Sequence, residues 1–449
     1  MSIISSIFKA YDIRGKVGSE LNSQTVATIG QSFGQWLPKS GVVAVGRDMR
    51  PDSAELANAM IKGLLESGRS VWDIGEVTSD MIYFVTGHYN LAGGAMITAS
   101  HNPGDYNGIK LCREEAKPIG EESGLFEIRD LVESGDFKTA LVAGKVIQKD
   151  VVEAWIEHVL SFVNVDKLKP LKIAVDAGNG MAGKIVPELE PYVPFDVEEL
   201  YFELDGTFPN HIANPLEPKN LVDLQGAVTK GGCDAGVAFD GDGDRAVLID
   251  EKGEPITGTV MTAILAEYFL KKYPKATILH NAICGRAAIE TINNNGGKPV
   301  RTRVGHSFIK GDMRKHDAVF AGEHSGHYYF KDNFMADSGL IAAVIALAVL
   351  SDSGKKLSEL AKPFRSTYLQ IPETNFEVSD KERTMHKISK QLAEGEQDWL
   401  DGLTVNFNYG WVNVRPSNTE PLLRLNAEAT SKKHLDELVD KVTALIKAN

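Results

Sequence analysis

The stretch Gly94-Ala95-Met96-Ile97-Thr98-Ala99-Ser100-His101-Asn102-Pro103-Gly104 decides how this chain folds. Gly94 to Ile97 is a short apolar run and reads as a buried strand. Asn102-Pro103-Gly104 reads as a turn. A hydroxyl and an imidazole thus sit where a strand hands over to a loop, and loops on a rigid scaffold are where binding and catalytic groups concentrate. Alone, a Ser-His pair before a proline turn is more often a solvated turn than a site. Neighbouring side chains of a strand also point to opposite faces, which speaks against His101 activating Ser100 directly.

Upstream, Gly41 to Val45 reads as a strand and Ser53 to Leu65 as a helix, with Asp52 or Ser53 as N-cap and Gly68 just past its end. Val71 to Ile74 is the next strand. This β-α-β-α order predicts a mostly parallel or mixed sheet covered by helices. The pattern restarts after a polar region near 121–150, with strands at Leu171–Val175 and Ala235–Phe239. It restarts again after Gly253-Glu254-Pro255, with helices near Thr259–Leu270 and Arg286–Asn293 and strands at Thr277–His280 and Pro299–Val304. The end differs: strands at Leu403–Phe407, Trp411–Val414 and Leu422–Ala427 precede a helix at Lys432–Lys447. The expected fold is therefore α/β, with three similar mixed-sheet domains (1–150, 151–253, 254–368) and a C-terminal α+β domain (369–449).

Composition narrows the partners. The chain has 449 residues, 48 Lys+Arg against 61 Asp+Glu, and a net charge of −13. With no basic stripe, nucleic acid is not expected as a partner. An anionic substrate would need a locally cationic pocket. Cys112, Cys233 and Cys284 show no paired spacing, which fits a reducing compartment and no structural zinc. Met1 to Ala10 lacks a charged n-region, so no signal peptide is expected. The apolar run Leu340 to Leu350 falls short of the roughly 20 residues of a membrane span and reads as a buried core helix. A cytoplasmic location without membrane contact is the expectation.

Three further loops carry chemistry. In Asp240-Gly241-Asp242-Gly243-Asp244-Arg245, alternate carboxylates freed by glycines can converge on one hard cation. All-oxygen ligands favour Mg²⁺, Ca²⁺ or Mn²⁺ over zinc. An EF-hand is the rival reading, since Glu251 falls at its twelfth position. Arg245 stands where that loop needs glycine, however, and both flanks read as strands. Gly322-Glu323-His324-Ser325-Gly326-His327 offers a carboxylate and a hydroxyl to a polyol. Arg415-Pro416-Ser417-Asn418-Thr419-Glu420-Pro421 lies between two strands and suits a phosphate. Either could also be a plain polar loop. His306, Tyr11 and Arg14 are ambiguous taken singly, and Lys110, after the strand-like Gly108-Ile109, reads alone as a surface residue.

Together, in this order and spacing, the four loops resemble the α-D-phosphohexomutase superfamily, and within it the phosphomannomutase/phosphoglucomutase group. The resemblance spans essentially the whole chain. It implies four domains around a central cleft and the interconversion of hexose 1-phosphate and hexose 6-phosphate, with mannose or glucose as the sugar. It implies that Ser100 carries a phosphoryl group, that Asp240, Asp242 and Asp244 bind Mg²⁺ in contact with that phosphoserine, and that a hexose 1,6-bisphosphate is intermediate and activator. His101 becomes a neighbour of the phosphate. Glu323 and Ser325 would bind sugar hydroxyls, and Arg415, Ser417, Asn418 and Thr419 the substrate phosphate. Tyr11, Arg14, His327 and Arg245 would line the cleft, with Lys110 and His306 as candidates for general acid or base. Phosphorylated hexoses are the implied partners, for a monomer or homodimer.

Two departures stand out. His324 occupies a position where many relatives carry methionine or another residue. A basic residue that some relatives carry at the start of the third domain has no clear counterpart near Ile283-Cys284. Asn418 follows Ser417 where glucosamine-directed relatives tend to carry glycine, so the resemblance implies mannose and glucose phosphates rather than glucosamine phosphate. A phosphoglucosamine mutase and a non-catalytic phosphosugar-binding protein are the alternatives, and the intact Ser100, Lys110 and aspartates weigh against the second.

Overall fold

In the computed structural model, which describes residues 3–417 and 422–448, four sheets follow one another along the chain. The first has parallel strands Val43–Arg47, Val71–Glu76, Gly93–Ile97 and Val146–Gln148, flanked by antiparallel Tyr106–Arg113 and Ile13–Lys16. The second runs Phe195–Leu200, Leu171–Asp176 and Ala235–Phe239 in parallel, then Ala246–Asp250 antiparallel. The third runs Lys298–Thr302, Thr277–Asn281 and Phe320–Gly322 in parallel, then Tyr328–Phe330 and Ala336–Asp337 antiparallel. The fourth, around Leu403–Phe407, Gly410–Pro416 and Leu422–Ala429, is antiparallel throughout and carries helices Lys381–Gln391 and Lys432–Lys447. The α/β architecture read from the sequence is the one found, with strand ends displaced by a residue or two.

The sheets share a device. In each of the first three, an interior parallel strand ends in a loop that returns as an antiparallel neighbour: Gly93–Ile97 to Tyr106–Arg113, Ala235–Phe239 to Ala246–Asp250, and Phe320–Gly322 to Tyr328–Phe330. In the fourth, Gly410–Pro416 returns as Leu422–Ala429. These four returns contain the four chemistry-bearing loops, so each sits at the carboxyl end of a buried strand, where open α/β sheets place their ligands.

The first three units are welded by apolar packing. One continuous core joins Tyr83 and Phe84 of the first, Trp155 and Phe162 of the connector, Val175 and Val237 of the second, and Ile278, Phe320 and Phe330 of the third. Helix Gly339–Ser353 runs through this core. It is apolar on all sides, as a helix surrounded by protein must be, and it packs on helices Gly258–Lys272 and Val152–Leu160 and on strand Ala246–Asp250. The fourth unit instead has a core of its own, built from Ile388, Leu392, Val405, Val414, Leu425 and Val442. It meets the third through polar contacts. Arg286 donates to the carbonyls of Phe407, Asn408 and Gly410, Arg301 pairs with Asp398, and Val304 N–H donates to Asp401. Arg286 is the nearest basic residue to Ile283-Cys284, and it is spent on this seam. No helix among the described residues is long and apolar enough to cross a membrane. All three cysteines are buried and unpaired.

His280 gives the core a pH signature. It is buried on strand Thr277–Asn281, with Nδ1 3.1 Å from the Asn281 carbonyl oxygen. Burial pushes its pKa down from 6.5 to about 4. Below pH 6.5 the unfolded chain takes up this proton first, so the histidine's contribution to stability, present above 6.5, is lost as pH falls through about 4. The thermal midpoint of the native sequence is expected to fall more steeply across this window than that of His280→Gln. Parallel profiles would contradict the assignment.

Candidate active site

Ser100 lies just past its strand in a left-handed turn, with φ +50°. That conformation is uncommon for a non-glycine residue and marks functional turns. It also overturns the strand-based expectation for His101. The turn breaks the alternation of side chains, and Ser100 Oγ lies 3.2 Å from His101 Nδ1. Burial and the charges of Arg245 and Arg14 hold the His101 pKa well below its usual range. Ser100 Oγ donates to Asp240 Oδ2 at 2.7 Å. Gly241 permits this approach, since a Cβ there would stand 2.6 Å from the Ser100 carbonyl oxygen.

Asp240, Asp242 and Asp244 are all buried, and one oxygen of each lies within 4.8 Å of the others. Burial and the repulsion of Asp244 and Asp242 drive the Asp240 carboxyl far above its ordinary range. Lys110 supplies the nearest compensating charge, with Nζ 2.6 Å from Asp242 Oδ2 and 2.5 Å from Asp244 Oδ2. Burial opposes its charge, but the two carboxylates outweigh burial and raise its pKa. For Asp242, burial works against ionisation and loses to Lys110 and the Ser79 hydroxyl, which hold the carboxyl below its usual range. Oδ1 of Asp242 and Oδ1 of Asp244 accept no hydrogen bond although buried. Unpaired buried oxygens are rare. Three converging carboxylates with two such oxygens form the donor set of a hard divalent cation. The flanking elements are strands, Ala235–Phe239 and Ala246–Asp250, and Glu251 is engaged with Ser358, so the EF-hand reading falls.

Asp244, His327 and Asp337 form a second trio of potential metal ligands. Protein cations already serve it. Lys310 Nζ pairs with Asp337 at 2.7 Å, and Arg245 Nε donates to His327 Nε2 at 2.9 Å. His327 Nδ1 therefore carries the hydrogen and faces Asp337 Oδ2 at 3.0 Å. The His327 ring thus links Asp337 to Arg245 and orients Arg245, whose Nε also lies 3.5 Å from Asp240.

The remaining sequence-read residues divide. Arg14 pairs with Asp12 and donates to the Ala99 carbonyl and to Asn102, so it braces the Ser100 loop. Tyr11 donates to the Val304 carbonyl and its ring meets His306 edge-on. Neither His306 ring nitrogen has a hydrogen-bond partner, and burial with nearby Lys310 keeps its pKa low. Glu323 accepts from Tyr329 and from Asn281, and Ser325 is half-buried at the tip of the same loop. His324 lies between the charges of Glu373 and Arg415 on the fourth unit, and burial keeps its pKa low. Asn418 and Thr419 lie outside the described residues.

Arg415 has a companion the sequence reading missed. Arg424 is its direct cross-strand partner. Opposed like charges destabilise a strand pair unless an anion joins them. Glu373 is that anion, 3.0 Å from each guanidinium and from Asn426 Nδ2. Burial would raise the Glu373 carboxyl, but Arg415, Asn426 and Arg424 hold it low. Arg424 also donates to Ser417 Oγ at 3.2 Å. A loop with an arginine shortly before and after it was the available signal.

Sequence profiles described as phosphoglucomutase/phosphomannomutase alpha/beta/alpha domains I, II and III and C-terminal domain match residues 5–139, 153–253, 257–368 and 373–445. The chain belongs to the phosphoglucomutase/phosphomannomutase family. It is 40% identical to a phosphomannomutase of Vibrio cholerae over 98% of this chain and 97% of that one. It is 41% identical to the phosphohexose mutases of Xanthomonas campestris over 94% of each. A solved phosphoglucomutase/phosphomannomutase family protein of Burkholderia thailandensis superposes with TM-score 0.91 at 32% identity, covering 99% of this chain and 97% of that one. The family member is therefore an enzyme, an intramolecular phosphotransferase of the isomerase class.

Proposed function

We propose that the enzyme interconverts the 1- and 6-phosphates of mannose and glucose, with Ser100 as the phosphoryl carrier. The observation that carries this is Ser100 Oγ, held in a strained turn 2.7 Å from a buried carboxylate trio with two unpaired oxygens. The Ser100 phosphoester P–O bond breaks as a new P–O bond forms to the free hydroxyl of a hexose 1-phosphate, and that hydroxyl gives up its proton. The resulting 1,6-bisphosphate turns over in the cleft and returns its other phosphate to Ser100. Asp240, Asp242 and Asp244, with Ser100, would hold Mg²⁺, which when bound offsets the roughly −1.5 to −2 charge of a phosphoserine.

The chain's own residues divide the remaining work. Phosphoryl transfer needs in-line positioning and charge stabilisation. Lys110, held charged by its two aspartates, supplies stabilisation and can return a proton. His306, with neither ring nitrogen in a hydrogen bond, is the candidate to accept a proton. Arg245 is oriented by the His327–Asp337 relay towards the transferring group. Glu323 and Ser325 face the sugar hydroxyls. Arg415, Ser417, Asn418 and Thr419, joined by Arg424, take the phosphate that is not reacting. Domains 1–150, 151–253, 254–368 and 369–449 each supply one loop, and the polar seam before the fourth lets it reopen for the turn of the intermediate.

The intact mass of the purified enzyme is expected to show one phosphate, mapping to Ser100. With Mg²⁺ and a trace of hexose 1,6-bisphosphate, mannose and glucose 1-phosphates are expected to turn over faster than glucosamine 1-phosphate. A marked preference for glucosamine would overturn the sugar assignment. Sugar-phosphate binding with no turnover at all would overturn the enzymatic one.

A further inference from the structure

Arg50 lies in the turn after strand Val43–Arg47, 3% exposed, and was not among the residues singled out in the sequence. Its guanidinium donates to four carbonyls of the Ser100 loop. One terminal nitrogen reaches Ser100 O at 2.9 Å and Asn102 O at 2.6 Å, and the other reaches Pro103 O at 2.8 Å and Tyr106 O at 2.9 Å. Its Nε lies 3.3 Å from Asp48. The Phe208 ring of the second unit covers it, 5.2 Å away. Phe208 belongs to Asp205-Gly206-Thr207-Phe208-Pro209, in the long connection after Leu200, which the sequence reading also passed over. That connection presses directly on the arginine: a Cβ on Gly206 would stand 2.5 Å from Arg50 Cα.

We infer that Arg50, seated by the Phe208 loop, is a positioning residue for phosphoryl transfer. It rests on the reading of Ser100 as carrier. Buried carbonyls must be paired, and in a tight loop they crowd one another. A planar guanidinium with five fixed donors can satisfy several at once, whereas an ammonium presents three donors from one point. The clamp includes the carbonyl of Ser100 itself, so it fixes the residue whose side chain must sit beside Asp240. Arg50 touches no group assigned to the sugar or to its distal phosphate. Its loss should therefore misplace the transferring oxygen while leaving substrate affinity intact, and a misplacement of about 1 Å costs on the order of 10²-fold in rate.

The test compares Arg50→Lys and Phe208→Leu with the native enzyme. It measures kcat, KM for glucose 1-phosphate, thermal midpoint, and the rate at which glucose 1,6-bisphosphate phosphorylates Ser100, followed by intact mass. Arg50→Lys is expected to lower both kcat and the phosphorylation rate about 10²-fold with KM within about threefold. A kcat within about twofold of native overturns the inference, as does a KM that rises in step with the loss of kcat. Should Arg50→Lys fail to fold, Phe208→Leu decides: an unchanged kcat overturns the inference, and a several-fold fall at constant KM supports it. A native enzyme that is inactive and never phosphorylated on Ser100 overturns the carrier reading, and this inference with it.

Discussion

Ser100→Ala is expected to abolish turnover, with kcat lower by on the order of 10⁴- to 10⁶-fold, the scale on which a lost nucleophile is felt. The substitution removes one oxygen, so no group remains to hold the phosphoryl between the two half-reactions. Little else should change. Alanine keeps the Cβ that the left-handed turn already accommodates, and the lost hydrogen bond to Asp240 costs about 1 kcal/mol. The sugar loop, Glu323 to His327, and the Arg415–Arg424 pair are untouched, so calorimetric binding of glucose 1-phosphate should stay within a few-fold of native. A variant keeping more than a few per cent of native turnover would sink the carrier mechanism.

Lys110→Met should be nearly as damaging, for a different reason. Its ammonium lies between two buried carboxylates, 2.6 and 2.5 Å away. Removing one partner of a buried pair costs about 3–5 kcal/mol, because the other charge stays behind. Turnover should fall about 10²- to 10⁴-fold as well, the range for a lost proton-transfer or charge-stabilising group. The two effects separate under Mg²⁺. A divalent cation on Asp240, Asp242 and Asp244 replaces the missing positive charge, so the urea midpoint should recover substantially while turnover does not. A variant with native stability in chelator would refute the electrostatic account, and recovery of turnover with Mg²⁺ would refute a role for Lys110 in transfer.

Local pattern made much of this molecule legible. Gly94–Ile97 followed by Asn102-Pro103 announced a strand and its turn, and the same signature recurred at Ala235–Phe239 and Asp240. Loops rich in glycine, aspartate and proline kept their chemistry readable because they interrupt apolar runs. Contacts between segments distant in sequence were not legible. Arg50 grips a loop fifty residues away, and Ile13–Lys16 pairs with Tyr106–Arg113, because sheet order brings them together rather than any local periodicity. Arg424 was invisible because its partnership with Arg415 depends on the register of a hairpin. Strand alternation misled for Ser100 and His101, since one left-handed residue cancels it.

The separate core of the fourth unit has a thermodynamic consequence. Units fused by one apolar core unfold together, whereas a unit with its own core, joined by arginine–carbonyl bonds and an ion pair, can melt alone. Calorimetry on the chain is expected to resolve two transitions, and the midpoints at which His280, Arg50 and Lys110 act are those of the fused units. On the proposed function, a bisphosphate held at one end by the Asp240 loop and at the other by the Arg415 loop would bridge the two melting units, and its occupancy would set how far apart their transitions lie.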